Sequence, residues 1–429
     1  MRALARLRSL IRDQKGNALV IGAAAMPLIV GAAAIAVDTA QVTLAKRQLQ
    51  RTADSAALAG AYAIAQSLES SETVRLQNVN ASVNHDLSLN SDMALSGSAV
   101  VQNAPAVGLY AGNPRAVRVA LAHERAVPFM SFFRGPTMGV SVEATAAVVY
   151  MGEYCLISLE DDDVTGITFI GNTTANLGCG VISNSRSNAA VSAGGSATVI
   201  ADPVAAVGGV PASGAYSTGT LLLPRSLQQP DPFAGLPEPV LPSPCSARLN
   251  VAPTGSHTVT PNGTGIYCYR GMDIKGTINL APGIYYIDGD NLDFGAQSVV
   301  NGTGVTFILT SSNAASNPSS IANISINGGA QMNLTSPTSG TYKGVLMYQD
   351  RRAPYGSSHI NGNSLTSFEG AFYFPARELV FNGTTGMQTQ CIQLVGRRLA
   401  FSGNGHIQNN CPTNGGGRAI KAMFVRLVG

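Results

Sequence analysis

Residues 18–37 read ALVIGAAAMPLIVGAAAIAV, and this run contains no charged side chain. As an α-helix rising about 1.5 Å per residue, it is long enough to cross the roughly 30 Å hydrocarbon core of a bilayer. Arginine and lysine crowd the residues before it and Asp38 follows it, so the positive-inside rule predicts a cytoplasmic N-terminus and an exported remainder. Pro27 lies within the run, and membrane helices tolerate such a proline better than soluble helices do. We therefore expect a membrane anchor that begins at Ala18 and ends at Val37.

Two processing events offer alternative interpretations of this run. A secretory signal peptide would be cleaved near the small residues at 34–36, although the run is long for such a signal and a helical pattern continues beyond it. A prepilin-type signal would be cut after Gly16, but that class usually carries glutamate at the fifth position after the cut, where this chain has Ile21. The N-terminus of the mature protein distinguishes these interpretations from an uncleaved anchor.

The helical pattern extends past the apolar run. Small and apolar residues recur at three- and four-residue steps through residues 42–64, as on one face of a helix. The candidate helix-association residues on this stripe are Val42, Leu49, Ala53, Ala56 and Gly60. Small side chains let another helix approach closely. The stripe therefore packs either against a partner helix in or above the membrane, or against the globular part of the same chain.

The N-terminal stretch resembles a known family. Residues 15–61 carry Gly16-Asn17 before the apolar run, Pro27 within it, Asp38 at its close and the sequence LQRTADSAALA at 49–59. In this order they resemble the N-terminal module of TadG-like proteins of the tight-adherence (Tad, or Flp) pilus machinery. The resemblance implies a role in assembling or anchoring an adhesive pilus, with other Tad proteins as partners of the N-terminal helix. It implies no enzymatic reaction, and the DxSxS metal motif of some family members is absent from this sequence.

A second and looser similarity covers residues 116–149. Tad-type accessory proteins often carry such a piece between the anchor and the distal domain. The alternation of Val117, Val119 and Leu121 predicts a strand, followed by an aromatic-rich turn at 129–133 and a second strand at 140–149.

From residue 152 onward, short β-rich runs alternate with Gly, Asn and Ser. Small turns containing glycine recur at intervals of roughly 20–34 residues, which is typical of stacked repeats. Their glycines are Gly276, Gly302, Gly328, Gly362, Gly383 and Gly403. One coil cannot bury its own apolar face, whereas stacked neighbours can. We predict a right-handed parallel β-helix over residues 151–429, with a β-sandwich as the alternative.

Proline and cysteine add two further expectations for this half. Prolines concentrated between residues 230 and 244 forbid regular strand ladders, so residues 224–261 should form an extended strap on the solenoid or, alternatively, a flexible linker. The sequence has six cysteines and no CxxC pair, which favours disulfides of an exported protein over a zinc site. Pairing of neighbours in sequence is the expected connectivity, among the fifteen that six cysteines allow. The disulfide candidates are Cys155, Cys179, Cys245, Cys268, Cys391 and Cys411.

Composition and motifs restrict the function. Charged residues make up 12% of the chain and its net charge of +3 is concentrated before residue 16, so no basic stripe is present to bind nucleic acid. Acidic clusters at 161–163 and 288–293 fit solvated turns better than calcium sites. We therefore predict no catalytic residue, cofactor or metal. The alternative function is a surface β-helix that binds or cleaves carbohydrate and shares the anchor, or a processed minor pilin.

The predicted organisation is mainly β. A cytoplasmic basic segment (1–16), a transmembrane helix (17–37) and an extension of that helix (38–66) precede a small α+β stalk domain (67–150) and the β-helix-like domain (151–429). The expected location is the inner, cytoplasmic membrane, crossed once, with the C-terminal domain in the periplasm or outside the cell. Cell-wall or surface glycan is a further expected partner.

Overall fold

The computed structural model describes residues 17–68, 70–90, 93–132, 135–361, 363–383, 387–389, 391–404, 406–409 and 420–429. The predicted cytoplasmic segment 1–16 and Cys411 lie outside these residues. The described chain is mainly β, with one long apolar helix and one shorter helix at its N-terminal end. It divides into a first unit, Met1–Val149 with Val425–Gly429, and a second unit, Tyr150–Phe424.

Two helices belong to the first unit. Helix α1 spans Asn17–Gln66 without a break, so the predicted anchor and its predicted extension are one helix that contains Pro27. Helix α2 spans Glu72–Leu89. The Ser71 side chain accepts a hydrogen bond from the Val74 backbone N–H and caps the start of α2, which satisfies an N–H that has no partner within the helix.

Antiparallel strands complete the first unit. They are β1 (Val100–Asn103), β2 (Ala116–Ala126) and β3 (Thr137–Ser158), with a short 3-10 turn at Met130–Phe132. Strand β2 pairs with β1 on one edge and with residues 137–147 of β3 on the other. The predicted strand at 117–121 is confirmed, and its alternating burial puts Val117, Val119 and Leu121 in the core. The backbone of Thr145 also exchanges hydrogen bonds with residues 428 and 429.

The second unit contains residues 150–158 of β3 and many short strands. Those before the proline-rich region are β4 (Ile167–Phe169), β5 (Thr174–Asn176), β6 (Gly180–Ser183), β7 (Val191–Ala193), β8 (Thr198–Ile200), β9 (Val204–Ala206) and β10 (Leu222–Leu223). Those after it, up to the last long strands, are β11 (Leu249–Val251), β12 (Ser256–Thr258), β13 (Ile266–Tyr269), β14 (Met272–Ile274), β15 (Thr277–Leu280), β16 (Gly283–Asp288), β17 (Leu292–Phe294), β18 (Val299–Thr303), β19 (Val305–Thr310), β20 (Ile324–Ile326), β21 (Gln331–Thr335), β22 (Val345–Gln349) and β23 (Ser357–Ile360). The final strands are β24 (Ser367–Gly383), β25 (Met387–Thr389), β26 (Cys391–Gly403), β27 (His406–Asn409) and β28 (Ile420–Leu427).

These strands pair in parallel, row upon row, in ladders. One ladder runs β11–β14–β17–β20–β23–β24, a second β12–β15–β18–β21–β24 and a third β13–β16–β19–β22–β24. The smaller sheet runs β25–β27–β5–β8. Where the register is maintained from row to row, as in the ladder through β14, β17 and β20, apolar side chains stack on apolar side chains. In the first ladder Ile274 lies beside Phe294, and Phe294 beside Ile326.

The order of the rows differs from the order of the chain. Strand β26, among the last in sequence, pairs with β24 on one edge and with β3 and β4 on its other edge. From there the ladders continue through β6 and β7 to β9 and β10. The first and last rows in sequence are therefore neighbours in the middle of the stack. Residues 224–248 connect the row of β10, at one end of the stack, with the row of β11 and β13 at the other end.

This connection is the proline-rich segment. Ladder strands resume at Leu249, before the predicted end of the strap at Pro261. The reason is that the closely spaced prolines all precede Leu249, and the chain is free to donate ladder hydrogen bonds from there. Phe233, Leu236 and Leu241 of this segment pack against an outer apolar cluster that includes Tyr348 and Tyr373. Strands β19 and β22 are consequently buried on both faces.

Candidate functional site

Helix α1 has an exposed apolar half. Its large apolar side chains between Val20 and Val37 are exposed, with Leu28 at 76% and Val20 at 68%. An exposed apolar surface of this extent marks a contact with another protein or with lipid. Among the described residues, α1 is the helix that is long and apolar enough to cross a membrane. The predicted anchor residues Ala18, Pro27 and Val37 all lie in it.

One face of the second half of α1 is buried by the same chain. Leu49, Ala53 and Ala56 are fully buried, whereas Val42 is half-buried. A Cβ atom added to Gly60 would lie 3.0 Å from methyl groups of Val83 on α2 and Val117 on β2. Of the two alternatives for this stripe, packing within the chain is the arrangement that the structure shows from Leu49 to Gly60.

Asp38 lies where the two halves of α1 meet, and its side chain is fully buried. Its Oδ2 atom accepts hydrogen bonds from the backbone N–H groups of Phe129 and Met130, at 2.9 and 2.6 Å. One turn further along α1, the side-chain oxygen of Gln41 accepts a hydrogen bond of 3.1 Å from Arg125. The carboxylate thus fastens the turn that follows β2 to the end of the apolar run.

Comparison with protein families finds a similarity that covers most of this helix. The Tad family model, which describes TadE/G-like proteins of Flp pilus assembly, matches residues 16–63. Residues 16–63 are a TadE/G-like segment. The resemblance predicted from the sequence of residues 15–61 is therefore confirmed. Neither curated proteins nor solved structures give a match to the chain.

The TadE/G-like segment includes the exposed apolar half of α1, Asp38 and the buried stripe as far as Gly60. The family match thus shows that this part of the chain is similar to proteins of Flp pilus assembly. It ends within α1, so the rest of the first unit and the whole second unit lie outside it.

The cysteines of the second unit lie near one another in pairs. Cys155 and Cys179 form one disulfide with a Cα–Cα distance of 5.9 Å, and Cys245 and Cys268 form another at 4.7 Å. Both pairs join neighbours in sequence, as expected. Cys391 is also disulfide-bonded, and its expected partner Cys411 lies outside the described residues. The second disulfide joins the end of the proline-rich segment to strand β13.

The first acidic cluster is an ion-pair network. Carboxylate oxygens of Glu160, Asp161 and Asp162 lie within 4.8 Å of one another, as they would around a cation. However, the fully buried Glu160 accepts hydrogen bonds from Arg397 at 3.1 Å and Arg398 at 2.5 Å. Burial alone would raise the pKa of Glu160, but the hydrogen bonds from these two arginines lower it below its ordinary value. Two guanidinium groups already neutralise this carboxylate and repel a metal ion.

The second acidic cluster is also occupied by protein groups. Arg248 lies 3.2 Å from Asp293 and 3.9 Å from Asp290. Asp288 accepts a 2.6 Å hydrogen bond from the backbone N–H of Ser312. Asp290 and Asp293 therefore share Arg248, whereas Asp288 bonds to a different group, the backbone of Ser312.

A half-buried polar network that the sequence analysis missed holds the proline-rich segment. Arg351 donates to the Tyr373 hydroxyl at 2.8 Å and to the carbonyl oxygens of Leu236 and Phe233. The Tyr373 hydroxyl donates to Asp231 at 2.6 Å, and burial together with this bond raises the pKa of Tyr373. The signal that could have found this contact is the apolar run VLMY at residues 345–348 of β22, just before Arg351, which is typical of a strand covered on both faces.

A cavity of about 650 Å³ lies beside this segment. Its walls include Phe233 and Leu236 of the proline-rich segment, Gln393 of β26, Lys343 and Lys421. The described residues that line it include two lysines and no acidic side chain.

Proposed function

We propose that this protein is a membrane-anchored, non-enzymatic envelope component of the Tad/Flp pilus assembly or adhesion machinery. The observation that carries the proposal is the TadE/G-like match at residues 16–63, which coincides with a helix whose apolar half is exposed. The helix spans the inner membrane once through residues 17–37. The basic residues ahead of it remain in the cytoplasm, and the second unit lies in the periplasm or outside the cell.

In this proposal the second unit is a right-handed parallel β-helix. The in-register parallel ladders and the recurring glycine turns support it. The proline-rich segment is a strap across one face, supported by the contacts of Arg351 and by the disulfide between Cys245 and Cys268. Disulfides suit an oxidising compartment, so they agree with export.

Other Tad proteins are the proposed partners of the exposed half of α1, because the stripe from Leu49 to Gly60 is already used within the first unit. Cell-wall or surface glycan is a proposed contact of the second unit. The alternative of a carbohydrate-cleaving solenoid predicts turnover on a glycan panel. The alternative of a processed minor pilin predicts a mature N-terminus at Asn17.

Crosslinking in intact cells tests the proposal. A photo-crosslinking residue at Leu28, which is 76% exposed, should capture other proteins of the Flp pilus system. The same residue at Leu109, which is 90% exposed in the loop between β1 and β2, is the matched control and should capture none. N-terminal sequencing of the protein that carries the crosslinker reports whether its own N-terminus is cleaved. Equal capture at both positions, or capture at Leu28 of proteins unrelated to the pilus, would contradict the proposed role.

A further inference from the structure

Strand β2 runs along α1 towards the proposed membrane. Near its start, Val117 contacts Gly60, and at its end Arg125 donates to Gln41. Residues 60 and 41 are about 28 Å apart along a helix that rises about 1.5 Å per residue. The turn that follows β2 therefore lies at the level of Asp38, where the apolar run ends.

The turn at this level exposes apolar side chains. Pro128 is exposed, Phe129 is 48% exposed and Met130 is half-buried, whereas Val127 just before them is buried in the first unit. Exposed Val37 immediately precedes Asp38 in α1, so the apolar surface of the turn adjoins that of the helix. Phe is among the apolar side chains that insert about 5–10 Å into the boundary between headgroups and acyl chains in proteins bound at the membrane interface.

We propose that the Pro128–Met130 turn is a second membrane contact, inserted in the headgroup region of the leaflet from which α1 emerges. Asp38 is its positioning residue, because the carboxylate accepts both backbone hydrogen bonds that fix the turn. A helix alone can tilt and rotate in a bilayer, and a second contact restricts both motions. The first unit would then have a fixed orientation on the membrane. This inference rests on the proposed membrane span of residues 17–37.

The absence of tryptophan from the chain gives a direct test. Phe129→Trp places a single indole in the turn of the full-length protein, reconstituted in phosphatidylcholine vesicles with and without brominated acyl chains. Leu109→Trp is the matched control, since Leu109 is 90% exposed in the loop before the other end of β2. We expect bromolipid to quench the Phe129→Trp variant several-fold more strongly than the Leu109→Trp variant.

The role of Asp38 has its own readout. Adding Asp38→Ala to the Phe129→Trp protein should remove most of the bromolipid quenching, because the two hydrogen bonds that hold the turn on α1 are then lost. Asp38→Asn retains a side-chain oxygen that can accept hydrogen bonds from these N–H groups, so this variant should show much more quenching than Asp38→Ala. Equal quenching in all three backgrounds would overturn the positioning role of Asp38.

Vesicle flotation separates failure of the anchor from failure of this inference. If neither tryptophan variant floats with the vesicles, the proposed membrane span is wrong. If both float but bromolipid quenches them equally weakly, the turn does not contact lipid and the inference is overturned. An indole that is shielded from iodide but unquenched by bromolipid would instead be covered by protein, which also overturns it.

Discussion

The stack of Phe381, Phe401 and Phe169 gives the most informative perturbation of the second unit. Phe401 is 1% exposed and stacks on Phe169 with a centroid distance of 4.9 Å and on Phe381 at 5.1 Å. Phe169 belongs to one of the first strands of this unit and Phe401 to one of the last. The stack therefore joins rows that are far apart in sequence.

The expected magnitude follows from burial and stacking. Replacing a buried phenylalanine by alanine costs about 3–5 kcal/mol, and each aromatic pair contributes about 0.5–1.5 kcal/mol beyond its buried area. Both faces of the Phe401 ring are stacked, so Phe401→Ala should lower the free energy of unfolding by about 4–5 kcal/mol. Phe401→Leu retains most of the apolar volume and should cost about 1.5 kcal/mol.

Urea unfolding of the detergent-solubilised full-length chain, followed by circular dichroism of the β signal, measures this effect. With an m-value of about 3 kcal/mol/M, Phe401→Ala should lower the midpoint by about 1.5 M. Val240→Ala is the control: Val240 is 80% exposed, so its midpoint should stay within about 0.2 M of the parent.

A double-mutant cycle then tests the contact between the rows. Phe169→Leu and Phe401→Leu should be non-additive by about 1 kcal/mol, because each removes the same stacked pair. Strict additivity, or a loss below about 1 kcal/mol for Phe401→Ala, would refute the arrangement in which these two rows are neighbours.

Three further predictions concern other contacts. Gly60→Leu should destabilise the first unit by about 2–3 kcal/mol in thermal unfolding, because the new Cβ would lie 3.0 Å from two valine side chains. The control is Gly31→Leu, which has open space around it and should leave the Tm unchanged. Glu160→Gln should cost about 2 kcal/mol near neutral pH by leaving Arg397 without its buried carboxylate. The folded-state pKa of Glu160 is lowered below its ordinary value of 4.5. The difference in stability between the parent and Glu160→Gln should therefore persist down to about that pH and vanish as the pH falls through the folded-state pKa. A stability difference that grows towards acid pH would contradict this prediction. Arg351→Met should free the proline-rich segment, and limited proteolysis should then cut residues 224–248 much faster than in the parent.

Local patterns were sufficient to predict several elements. The three- and four-residue spacing predicted the helix through Ile64, and the alternation at Val117 predicted a strand. The disulfide between Cys155 and Cys179 was also predicted, because these two cysteines follow one another in the sequence. Each of these features depends on residues close in sequence, where periodicity or loop closure leaves a visible signature.

Contacts between distant residues could not be predicted in the same way. Nothing near Glu160 indicates that Arg397 and Arg398 will pair with it, because the order of the rows brings β26 beside β3 and β4. Asp38 was recognised as the end of the apolar run, but its bonds to Phe129 depend on the path of β2. The residues near these positions in the sequence do not indicate the order of the rows or the docking of the turn after β2 on α1.

Protease accessibility measures the membrane topology most directly. Protease added to intact spheroplasts should remove the second unit, residues 150–424, while inside-out vesicles from the same cells should protect it. Removal of the second unit only in the inside-out vesicles would contradict the proposed orientation. A full-length protein that remains soluble after all membranes are sedimented would contradict the membrane span itself.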